Sequence, residues 1–141
     1  PATMQEGEIT YGDVIVDITD FFETQIAEGV RQGMRREQFI IDPGIGFGKT
    51  LEHNLEIIRR LGEFKKLGLP ILIGVSRKSH IGLLLKNELC LADVPPAEDR
   101  LEASLAEAVI AVLNGADIIR THDVAETRRA LAVVDAIKKN V

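Results

Sequence analysis

The sequence predicts an α/β fold, a parallel sheet covered by helices, and three observations carry that expectation. Short apolar runs at 39–42 (FIID), 71–75 (ILIGV) and 116–123 (ADIIRTHD) alternate with longer stretches of helical periodicity. The runs are apolar on both faces, as strands buried between helices must be. Each run also passes from apolar to polar at its C-terminal end, where parallel sheets and barrels keep their ligands.

The elements follow in order as one helix and then three strand–helix pairs. Val14, Ile18, Phe21, Phe22, Ile26 and Val30 recur at helical spacing, and Gly33 can end that helix. After the strand at 39–42, Leu51, Leu55, Ile58, Leu61 and Phe64 mark a second amphipathic helix that closes near Gly68-Leu69-Pro70. The strand at 71–75 runs into Ser76-Arg77-Lys78-Ser79, then a short helix around HIGLLL and a surface connection over 85–99. Pro95-Pro96 can start the next helix, with an expected stripe of Leu101, Leu105, Val109 and Val112 and a closing Gly115. The third strand leads to a last helix marked by Leu131, Val134 and Ile137.

Composition narrows the function classes. The 141 residues suffice for one core, and 17 Lys+Arg against 22 Asp+Glu argue against a nucleic-acid surface. No apolar run nears the length of a membrane span, and no signal peptide opens the chain, so the expectation is a cytoplasmic protein. Pro1 stands where a Met would begin a polypeptide, which suggests the downstream part of a longer one. The single Cys90 excludes an internal disulfide and reads as a small buried apolar residue. Three histidines without an acidic residue at ligand spacing make no zinc site, and His53 and His80 read as surface residues.

The glycine-rich stretch DPGIGFGKT at 42–50 invites a phosphate-loop reading and fails it. A Walker loop needs Gly at position 43, which is Pro43, and the alternation of Gly44, Gly46 and Gly48 is not a dinucleotide fingerprint. Asp42 is open between a loop cap, a lysine partner and a functional carboxylate. Lys49 reads as solvent-facing and Thr50 as a cap for the next helix. Lys78 is open between an exposed charge and a ligand-facing one. Arg120 and His122, two apart, share one strand face and suit an anion.

Taken in order and spacing, DPGIGFGKT, GVSRKSHIG and RTHDV closely resemble the last three strand-end motifs of the dihydropteroate synthases. The opening PATMQ resembles the end of that family's loop after its fifth barrel strand, and DRLEASLAEAVIAVLNGA its helix between the seventh and eighth. Thr121 departs from the usual Val. The resemblance implies a (β/α)8 barrel of which residues 1–141 are the C-terminal portion, the sixth to eighth βα units, with the first five units absent from this chain. It implies a transferase of folate biosynthesis that joins p-aminobenzoate to (7,8-dihydropterin-6-yl)methyl diphosphate, giving dihydropteroate and diphosphate. The isolated segment is expected to be inactive, and to self-associate, pair with the rest of the barrel or be unstable.

What the resemblance implies for single residues is specific. Asp42 would accept from the pterin amide and amino edge, and Lys78 would donate to its carbonyl side. Phe47 would pack on the aromatic amine, while Gly46 and Gly74 let flat rings approach the backbone. Ser79, with the helix start behind it, would take the aminobenzoate carboxylate. Arg120 and His122 would hold the departing diphosphate. Met4 would touch the pterin face. Mg²⁺ is expected with the diphosphate, its ligands lying outside this segment, and a homodimer and a place among sulfonamide targets belong to the same family expectation. The alternatives are a pterin-binding methyltransferase domain, whose relatives lack the SRKS and R-x-H-D-V pair, and a non-catalytic fragment.

Overall fold

The computed structural model describes residues 11–139. Helix α1 (Val14–Arg31) opens on Asp13, whose side chain accepts from the amides of Ile15 and Val16. The chain then turns through Gly33, at φ 95°. Helix α2 (Leu51–Arg59) is capped by Thr50, which accepts from the His53 amide, as its sequence position suggested. A 3₁₀ segment, Leu61–Leu67, continues it and ends on left-handed Gly68. Strand β1 (Leu72–Ile73) leads to α3 (Ser79–Glu88), and the 3₁₀ turn Ala97–Arg100 leads to α4 (Leu101–Leu113). Strand β2 (Ile118–Ile119) and α5 (Val124–Lys138) complete the described chain.

The sheet is parallel and in sequence order. Leu72 pairs with Ile118 and Ile73 with Ile119, while Ile41 bridges Ile71 on the other side of β1. The expected strand at 39–42 thus narrows to one bridge, held by the Ile41 N–H on Pro70 and the Leu72 N–H on Ile41. Among the described residues the three expected strands are thus a two-stranded parallel sheet and one flanking parallel bridge, shorter than the apolar runs. The middle strand is the most buried, with Ile71 and Ile73 fully enclosed, and the core joins them to Ile15, Ile57, Leu61 and Phe64. Phe22 meets Phe64 edge to face, 5.9 Å between ring centres, which fastens α1 to the 3₁₀ segment.

Two sequence expectations about packing need correcting. The buried face of α4 is Ser104, Ala108 and Ala111, not the stripe of Leu101, Leu105, Val109 and Val112. Small residues let α4 sit close against its neighbours, and the larger side chains flank that contact. Cys90 is exposed, not buried: it lies in the turn just past the end of α3, with a left-handed φ of 52°. No helix among the described residues is long and apolar enough to cross a membrane.

Candidate functional site

All three parallel segments end at the same side of the sheet, and the loops that follow them build the site. Asp42 follows the first segment; its Oδ1 accepts from the Gly44 N–H at 2.9 Å, which starts the glycine turn. Gly44, Gly46 and Gly48 all have positive φ, so the turn needs glycine for its backbone shape. Asn54, buried in α2, holds the turn: it accepts from the Gly46 N–H at 2.7 Å and donates to the Thr50 carbonyl at 2.7 Å. These two backbone partners also settle which end of its amide is oxygen.

Lys49 is half-buried instead of solvent-facing. Its Nζ donates to the carbonyls of Gly44 and Phe47, each at 3.2 Å, so it braces the turn from inside. Burial holds its ammonium below the usual lysine range, with Asp42 pulling the other way. Phe47 stands exposed at the tip of the turn. Lys78, from the loop after β1, reaches across to this turn: its Nζ lies 4.3 Å from the centre of the Phe47 ring and donates to the Ile45 carbonyl. A Cβ on Gly46 would meet Lys78 Cδ at 3.0 Å, so the absent side chain makes room for the lysine stem. Burial lowers the Lys78 pKa, Asp42 opposes that shift, and Arg120 and Lys49 add to it.

Arg120 and His122 come from the end of β2. A Cβ on Gly74 would lie 2.8 Å from Arg120 Nη2, so the guanidinium rests over that glycine. The His122 N–H donates to Ser76 Oγ at 3.2 Å, and its Nδ1 shares a 3.0 Å hydrogen bond with the same hydroxyl. Ser79, the first residue of α3, is exposed at a cleft of about 370 Å³ that it shares with Gly46, Thr50, Asn54 and Leu83. A second cleft of about 370 Å³ holds Asp42, Gly44, Lys49, Tyr11 and Phe22. Asp42, Gly46, Phe47, Gly74, Lys78, Ser79, Arg120 and His122 therefore share the loops at one end of the sheet. Met4 lies outside the described residues.

Two residues at the site escape the sequence reading. Asn54 has a visible signal, a polar residue three after Leu51 and four before Ile58, on the apolar stripe of α2. His80 has none: it is buried, not on the surface, and its Nε2 meets the Glu107 carboxylate at 2.8 and 2.9 Å, from 27 positions away. His53 is half-buried: its Nδ1 accepts from the Thr50 N–H at 3.3 Å and its ring meets Tyr11 edge to face.

A carboxylate, a lysine, an arginine and a histidine thus stand on loops at the C-terminal ends of parallel segments alternating with helices, the side on which such α/β folds keep their ligands. Residues 1–122 match the family described as pterin binding enzyme, and the chain belongs to that family. It is 48% identical over 136 residues to dihydropteroate synthase of Escherichia coli K12, covering 96% of this chain and 45% of that protein. A solved structure of Yersinia pestis dihydropteroate synthase in a sulfonamide drug complex superposes with TM-score 0.89 at 40% identity, covering 99% of this chain and 47% of that one. Xanthomonas albilineans dihydropteroate synthase in complex with 7,8-dihydropteroate superposes at 0.84, with 34% identity over 92% of this chain and 47% of that one. The chain spans about half the length of the relatives it matches. The expected partial (β/α)8 barrel agrees with these superpositions.

Proposed function

We propose that this chain is the C-terminal part of a dihydropteroate synthase, a transferase of folate biosynthesis. Residues 1–141 supply the sixth to eighth βα units, and the first five units complete the barrel. The substrates are p-aminobenzoate and (7,8-dihydropterin-6-yl)methyl diphosphate; the products are dihydropteroate and diphosphate. One observation carries the reading: Asp42, Lys78, Arg120 and His122, far apart in sequence, stand at one end of one sheet. The dihydropteroate in the Xanthomonas relative supports the product class, and the sulfonamide in the Yersinia relative supports a sulfonamide-sensitive amine site.

The chemistry asks for charge stabilisation more than for a nucleophile on the protein. The C–O bond to diphosphate breaks with its electron pair leaving on oxygen, and the electron-rich pterin ring spreads the positive charge left at carbon. The amine nitrogen then forms the C–N bond and releases a proton. Asp42 holds the pterin N–H edge and favours the cationic ring; Lys78 donates to the opposite side. Arg120 and His122 receive the developing charge on diphosphate, Arg120 through its two-pronged guanidinium. Phe47 and Ser79 line the amine substrate, with the carboxylate beside the first turn of α3. Mg²⁺ is the metal the family brings to the diphosphate. Among the described residues no group of three or more His, Cys, Asp or Glu could hold a metal ion, so the residues present do not fit such a site. A homodimer through the exposed faces of α4 and α5 completes the reading.

The test is calorimetric titration of the pterin diphosphate into the chain, with dihydropteroate formation measured in an intact barrel carrying this segment. Asp42→Asn is expected to weaken pterin binding about ten- to a hundredfold, the worth of a hydrogen bond to a charged group. Unchanged affinity would remove Asp42 from its role, and failure of the intact barrel to form dihydropteroate would end the reading.

A further inference from the structure

Arg77 lies between the residues of the site without facing it. Its φ of 56° is left-handed, a conformation a side-chain-bearing residue keeps only where its surroundings hold it. Those surroundings grip every polar group it has. Its N–H donates to Ser104 Oγ at 2.8 Å, its carbonyl accepts from Arg100 Nη1 at 3.0 Å, and Nη1 reaches the Ala97 carbonyl at 3.4 Å. Its Nε and Nη2 form a fork on the Asp123 carboxylate, at 2.8 and 2.6 Å. Asp123 is fixed in turn: its N–H donates to Thr121 Oγ1 at 3.1 Å, and its carbonyl accepts from the Thr127 N–H at 2.9 Å.

The placement gives this pair its meaning. Arg77 immediately precedes Lys78, and Asp123 immediately follows His122. One position earlier in each loop, Ser76 and His122 are already joined. The two loops are therefore stitched at consecutive positions. Lys78 leans away toward Phe47 and Ile45, while Arg120 lies over Gly74. We infer that the Arg77–Asp123 fork is a positioning clamp that fixes the distance between the Lys78 half of the site and the Arg120–His122 half. This rests on the diphosphate-transfer reading above, in which one substrate spans both halves. A ligand that bridges two half-sites gains from their fixed separation, whereas a ligand that fills one of them does not.

Three probes separate the clamp from a general structural role: 6-hydroxymethyl-7,8-dihydropterin, inorganic diphosphate, and the pterin diphosphate that joins them. Asp123→Asn is expected to weaken the joined ligand about tenfold while each separate one stays within about twofold, and Asp123→Glu to recover part of the loss. Arg77→Gly, which relieves the left-handed strain and so favours folding, is expected to give the same pattern. Parallel weakening of all three probes, or no weakening of the joined one, would overturn the clamp. If the unaltered chain binds neither pterin nor diphosphate, the functional reading has failed, and the clamp is judged on amide resonances. Lys78 and Ser79 amides shift in Asp123→Asn if the loops are coupled; unchanged resonances overturn it.

Discussion

Gly74 and Gly46 show how a missing side chain can serve a site in two ways. Gly74 has an ordinary backbone, and the atoms nearest an added Cβ would be those at the end of the Arg120 side chain, with Nη2 at 2.8 Å. That end can swing away. Gly74→Ala is therefore expected to melt close to the parent and to bind inorganic diphosphate about tenfold more weakly, because Arg120 no longer rests where its charge is used. Thermal unfolding and diphosphate titration on the same sample check both halves; a stability loss with intact affinity would show that Arg120 is elsewhere in solution. Gly46 is the stricter position. At φ 78°, with Lys78 Cδ 3.0 Å from the added atom, Gly46→Ala carries a left-handed penalty of about 1–2 kcal/mol besides displacing Lys78. Lys78 makes the site pH-sensitive as well. Its ammonium is held below the usual lysine pKa of 10.5 chiefly by burial, so its proposed hydrogen bond to the pterin weakens with rising pH earlier than a free lysine predicts. Lys78→Arg is expected to keep pterin affinity at alkaline pH, measured by pterin titration across the range.

At the level of elements, the opposite end of the sheet is held by Asp117. It accepts from Lys65 Nζ at 2.9 Å and from the Ile71 N–H at 2.9 Å, joining the starts of β1 and β2 to the 3₁₀ segment. Lys65, and then the Ile71 amide, hold its carboxyl below the usual 3.8. A carboxyl whose folded pKa is lowered gives stability that is present above the unfolded value and lost as pH falls through the folded one. Asp117→Asn is thus expected to be less stable than the parent at neutral pH, with the gap closing on acidification below 3.8. Partial exposure and salt keep the gap modest. Urea midpoints at several pH values measure it, and a pH-independent gap would assign the loss to packing. Such long-range partners are what the sequence conceals. The alternation of apolar runs and amphipathic stretches was legible because it is local periodicity, and Thr50 was legible as a cap because a cap acts three residues away. The buried face of α4 was not: Ser104, Ala108 and Ala111 look unremarkable beside Leu101 and Val109 until the closeness of the neighbouring elements decides which side turns inward. Lys49 and His80 were misplaced for the same reason, since their partners are backbone carbonyls of a folded turn and a carboxylate on another helix.

For the molecule as a whole, charge and apolar surface are distributed unevenly. A chain of net charge −5 gathers Lys49, Lys78, Arg120 and His122 at one sheet end, so anions are drawn to that edge of an otherwise acidic protein. On α4 and α5, Ile110, Leu113, Val133 and Ile137 remain exposed. The proposed homodimer would cover these apolar side chains. Sedimentation is expected to show a mass that rises with concentration, and Val133→Lys with Ile137→Lys to shift it to the monomer without lowering the melting temperature. A monomer at all concentrations would remove the proposed dimer. The candidate site, by contrast, was legible at this scale because strand ends in a parallel sheet converge by topology. Asn54 ties that turn to its helix. Since its amide fastens the glycine turn to a helix rooted in the core, lifting that turn would unravel a helical cap as well. Whatever enters the cleft would therefore meet a floor already in shape, with nothing left to fold around it.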